Sequence, residues 1–220
     1  MASGIRLALL VGGPLALAVV LWWHPAGGEN VYAGVRDDVG AWLFVHTTFL
    51  LVTPLLGIAA FVLLNGLSSR AATVSRVALV FFLVFYTAYE SNVGIGTGIL
   101  VDYANGLPAA EQAVVADAIQ DYNRNAILTD PSLSFLAGGL GWIIAMIAAA
   151  VAFRREGAGW ALTLLIGFAA VFAIHPPPIG PLGLVCFAAA VVLVERSRAR
   201  DTAALDASPT AHRPARLRAS

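Results

Sequence analysis

Long apolar runs separated by short polar breaks set the pattern of this chain. The runs cover about 5–23, 41–65, 73–101, 133–153, 158–174 and 179–194. Most are near the ~20 residues that a helix needs to cross a bilayer. The pattern predicts an all-α, polytopic membrane bundle of six transmembrane helices over residues 1–195. Gly12, Gly13 and Pro14 are expected to kink the first helix, which neighbouring helices make tolerable. Trp22, Trp23 and Trp42 read as interfacial anchors. His24-Pro25 and His175-Pro176 end helices, because a residue before proline leaves the helical region.

One connection is long, 102–132. Pro108 suits a first helical position, and Val114, Val115, Ala118 and Ile119 share one helical face. A short amphipathic helix is expected there, lying on the bundle or the membrane surface. The segment 196–220 is rich in Arg, Ala, Thr and Ser and poor in large apolar residues, so it is expected to be disordered.

Charge turns the pattern into a topology. Arg70 and Arg76 follow the second run, Arg154 and Arg155 follow the fourth, and Arg196, Arg198 and Arg200 follow the sixth. With six spans these all fall on one side. The positive-inside rule makes that side cytoplasmic, with both termini inside a plasma (inner) membrane. The tail arginines are expected to touch anionic lipid headgroups.

Composition agrees and excludes several classes. The 220 residues are 59% hydrophobic and 12% charged, against about 25% charged in a soluble domain. Net charge is zero, so no nucleic-acid partner is expected. All 13 basic residues other than histidine are arginine; without lysine there is no retinal or pyridoxal Schiff base. Cys186 stands alone and forms no intrachain disulfide. The bias to Ala, Gly, Val and Arg is expected of a GC-rich bacterial genome.

The chemistry concentrates on the third run. Glu90 lies in its middle, beside Tyr86, Tyr89, Ser91 and Asn92. A central intramembrane acid costs roughly 2.5–3.5 kcal/mol on insertion scales, so it marks a functional candidate. Counting from Arg76, Glu90 lies about 21 Å into a layer ~30 Å thick; His46, entering from the other side, lies about 7 Å deep. The two share a level in the outer half. His24, His175 and Asp102 end helices at the same boundary. Tyr86, four residues before Glu90, is on the same helical face and is placed to bond its carboxyl.

Ligand- or proton-binding candidates are therefore Glu90, His46, Tyr86, Asn92 and Asp102. Metal candidates are His46, Glu90, His24 and His175. The donor types suit zinc or iron, the latter including haem held by two histidines. A zinc-bound water would support hydrolysis of an amphiphile. The alternatives are a proton-coupled small-molecule transporter using Glu90 and His46, and a non-catalytic subunit or scaffold. Gly94 and Gly98 form a small-xxx-small pair suited to helix packing, and the glycine-rich faces, Gly138, Gly139 and Gly141 included, suit a homo-oligomer.

Overall fold

A computed structural model describes residues 3–25, 28, 30–125 and 132–206. Among them the secondary structure is helical throughout. The elements are α1 (Ser3–Val20, extended by a 3-10 turn Leu21–Trp23), α2 (Val31–Val35) and α3 (Val39–Leu63). A long helix α4 (Arg70–Asn105) follows, then α5 (Ala109–Asn125), α6 (Leu133–Arg155), α7 (Trp160–Ala173) and α8 (Ile179–Asp206).

Five of these helices, α1, α3, α4, α6 and α8, are long and apolar enough to cross a membrane. α7 is apolar but shorter, and its second half, Ala169–Ala173, is 3-10 helix. Apolar side chains such as Leu51, Val84, Trp22 and Trp23 stay exposed around the bundle. Such a surface and such helices are compatible with an integral membrane protein. Trp42 is buried against neighbouring helices, whereas Trp22 and Trp23 are exposed.

Small residues let the central helices approach. A Cβ on Gly138 would sit 2.7 Å from the Tyr86 backbone nitrogen, and one on Gly141 would be as close to that of Phe82. With no driving force from water between helices in lipid, such close backbone packing holds them together. Ser75 adds a hydroxyl bond to the Ala145 carbonyl, 2.8 Å. The core beneath is aromatic, with Phe82, Trp142 and Phe172 in mutual ring contact and Phe187 against Trp142.

The two ends of the bundle differ in kind. At one end arginines hold helix termini. Arg198 donates to the carbonyls of Val62, Leu63 and Asn65, and Arg76 to those of Leu64 and Leu67. These carbonyls lie at the C-terminus of α3 and in the turn after it, where a helix leaves carbonyls short of intrahelical partners. The contact explains why α8 runs on to Asp206, where 196–206 were expected to be disordered. Residues 207–220, His212 included, lie outside the described residues.

At the other end α2 and α5 form a cap with its own small core. Val31, Tyr32, Val35, Trp42, Val101, Ala104 and Ile119 are buried together. Gln120 accepts from the Val31 amide, Tyr122 donates to the Asn92 carbonyl, and Asn123 donates to Thr97 Oγ1.

Candidate functional site

Beneath this cap, α4 changes its winding. It is π-helical over Phe82–Tyr86 and again over Glu90–Gly96. Phe82, Tyr86, Glu90 and Gly94 are all buried. An α-helix turns once per 3.6 residues, so positions four apart drift about 40° at each step. The wider π turns take up the extra residue and cancel that drift. They keep Phe82, Tyr86, Glu90 and Gly94 aligned along one buried face of α4.

α3 presents Trp42, His46 and Phe49 at helical spacing on the opposing face. Gly94 makes the approach possible, because a Cβ there would overlap the His46 ring. Trp42 Nε1 donates to the Gly94 carbonyl at 2.6 Å, one of the backbone groups in the π segment. His24, following α1, and His175, following α7, complete the group. The His24 ring centroid lies 5.1 Å from that of His46 and 5.0 Å from that of His175; His46 and His175 are 6.3 Å apart. Phe49 packs against both His46 and His175.

Each imidazole has its Nδ1 against an oxygen. His24 Nδ1 donates to the Pro25 carbonyl, 2.7 Å. His46 Nδ1 pairs with Glu90 Oε2, 2.6 Å. His175 Nδ1 stands 3.1 Å from the Tyr86 hydroxyl. A carbonyl only accepts, so His24 carries its proton on Nδ1 and leaves Nε2 with a lone pair. Among the described residues His24 Nε2, His46 Nε2 and Glu90 Oε1 are buried without a hydrogen-bond partner. Such atoms are rare in folded proteins, since each forfeits its solvation.

Burial first, and the neighbouring His46 second, hold the His24 imidazole below its ordinary value. Burial pushes His175 down as well. Both shifts favour the neutral ring. His24 is the half-buried member, so the cluster reaches the surface through it, whereas Glu90 is 0% exposed.

The expected site residues divide. His46, Glu90, Tyr86, His24 and His175 come together. Asn92 does not join them: its side chain is exposed and bonds back to the Ala88 carbonyl. Asp102 is exposed on α4 about 18 Å along the helix from Glu90. Among the described residues no group of three or more His, Cys, Asp or Glu side chains is placed so that it could hold a metal ion. The rings meet edge to face or tilted instead of converging on one point. Trp42, Phe49 and Phe172 are the neighbours that sequence reasoning missed. The one-turn spacing of Trp42 to His46 carried that signal.

No protein-family model, no curated protein and no solved structure matches this chain. The functional reading therefore rests on the geometry of the cluster.

Proposed function

We propose that the chain is a six-span membrane protein, with both termini cytoplasmic, that binds a transition-metal ion through His24, His46 and His175. The observation that carries this reading is the shared use of Nδ1. Metal-bound histidines commonly give one ring nitrogen to the ion and the other to a carboxylate or carbonyl, which fixes tautomer and orientation. Here all three rings have Nδ1 against an oxygen, and two of the remaining Nε2 atoms are buried without partners.

Spacing supports the same reading. A tetrahedral ion at ~2.0–2.1 Å from three ring nitrogens places the ring centroids about 5 Å apart. His24 stands at that spacing from both other rings, at 5.1 and 5.0 Å, and the His46–His175 pair, at 6.3 Å, would close by about 1 Å on binding. Glu90 then orients His46, Tyr86 orients His175, and the fourth position is open to water or a ligand. Three imidazoles favour zinc, with iron next. His24 packs against both other rings, which favours a bare ion over haem.

The test is elemental analysis of detergent-purified protein, prepared without chelators, beside His46→Ala. One zinc or iron per chain, absent from the variant, is the expected result. A metal-free wild-type protein that fails to take up added zinc would overturn the reading. The 2.6 Å His46–Glu90 contact would then favour the second reading, a shared proton in a proton-coupled carrier.

Orientation has its own test. A reporter fused after Arg70 or Arg155 is expected to be active only on the cytoplasmic side, as the arginine distribution requires.

A further inference from the structure

The arginine end holds a cavity of about 510 Å³ between α1 and α8. Three guanidinium groups, Arg6, Arg196 and Arg198, line it, with Glu195 as the one acid in its wall. Glu195 Oε1 accepts from Arg6 at 3.0 Å and from Arg198 at 2.9 Å. The other Arg198 Nη hydrogen bonds go to carbonyls at the end of α3. One carboxylate thus faces three cations, and the wall keeps a surplus of positive charge. Arg6 Nε is buried without an acceptor, and Arg196 is exposed at the cavity with no recorded partner. Nothing in the fold itself needs Arg196 there.

A second cavity, about 330 Å³ and mostly apolar, begins at the same Arg6. It follows the α1–α3 seam past Leu9, Leu10, Leu55, Ile58 and Val62. Arg6 is therefore a shared wall between a cationic chamber at the end of the bundle and an apolar groove along its side. That pairing fits a molecule with an anionic head and a hydrocarbon tail.

We infer that these two cavities form a specific site for an anionic phospholipid, the phosphate held by Arg6 and Arg196 and an acyl chain laid along Leu9 and Ile58. Guanidinium is suited to phosphate, which it meets with two parallel donors. An anionic leaflet supplies the occupant wherever the arginine end faces it. The site is separate from the histidine cluster and stands or falls without it.

The experiment is native mass spectrometry of the full-length protein titrated with phosphatidylglycerol, phosphatidylcholine or inorganic phosphate. Arg196→Gln leaves the Arg6–Glu195–Arg198 contacts intact, so it is the variant of first choice. Ile58→Trp fills the groove. Wild-type protein is expected to retain one phosphatidylglycerol in preference to phosphatidylcholine. Arg196→Gln is expected to weaken that binding about fivefold, the worth of one arginine near an anionic lipid surface. Ile58→Trp is expected to weaken it too. Equal binding of both lipids, or retention by both variants equal to that of the wild type, would overturn the site. Binding of inorganic phosphate that displaces the lipid and ignores Ile58→Trp would overturn the lipid occupant and leave a soluble anion.

Discussion

The Arg198–Arg76 anchor at the end of α3 and the histidine cluster treat polar groups in opposite ways. At the arginine end, Arg198 and Arg76 meet five main-chain carbonyls at 2.6–3.1 Å, all of them at the end of α3 or in the turn that follows. Polarity there completes helix ends and fixes α8 against α3. At the histidine end the polar atoms face one another, and His24 Nε2, His46 Nε2 and Glu90 Oε1 are left without partners. A structural network satisfies its members, whereas a binding site keeps donor atoms in reserve. The difference separates a scaffold from a site within one set of helices.

That contrast makes predictions that diminish in size. His46→Ala removes a proposed ligand and is expected to abolish stoichiometric metal, read by elemental analysis, while the protein still inserts and remains monodisperse on size exclusion. Glu90→Gln keeps the shape but weakens the orienting bond to His46. It is expected to lower zinc affinity by about 10–100-fold in a chelator competition, the usual effect of losing an outer-shell partner. Arg198→Ala should do the reverse. It is expected to cost about 2–3 kcal/mol in reversible unfolding, because a charged donor to several carbonyls is lost, with metal stoichiometry unchanged.

Thr53→Val sharpens the comparison at a smaller scale. Thr53 is buried in α3 with an unpartnered hydroxyl, one residue before Pro54. Removing that hydroxyl is expected to leave stability unchanged or raise it by up to about 1 kcal/mol. Asn92→Ala, at an exposed side chain that bonds only its own helix, is expected to stay within about 0.5 kcal/mol and to keep metal affinity.

Hydropathy and arginine placement were enough to locate the apolar helices and to put His46 and Glu90 at one depth. The structure has them 2.6 Å apart. Depth follows from counting residues along a helix, and that count survives folding. Azimuth can be counted too: Asn92 is near Glu90 in sequence, yet residues two apart lie about 200° around a helix, so its side chain turns outward and bonds Ala88. What no hydrophobic period announces is the π winding that keeps Phe82, Tyr86, Glu90 and Gly94 on one buried face. Trp42 was hidden for a related reason. Its position near the end of α3 suits an interfacial anchor, whereas the cap core around Val31 and Val35, the His24 and His46 rings and the hydrogen bond to Gly94 together draw it inward. The continuation of α8 was missed because residues 196–206 look unable to fold alone. Arg198 anchors them to α3, a contact between positions far apart in the chain.

X-ray absorption on zinc-loaded protein tests the account most directly, because it counts the imidazoles around the ion. The account predicts three imidazole nitrogens at ~2.0–2.1 Å, falling to two in His175→Ala. A shell without imidazole, or one that is the same in wild type and His175→Ala, would contradict it.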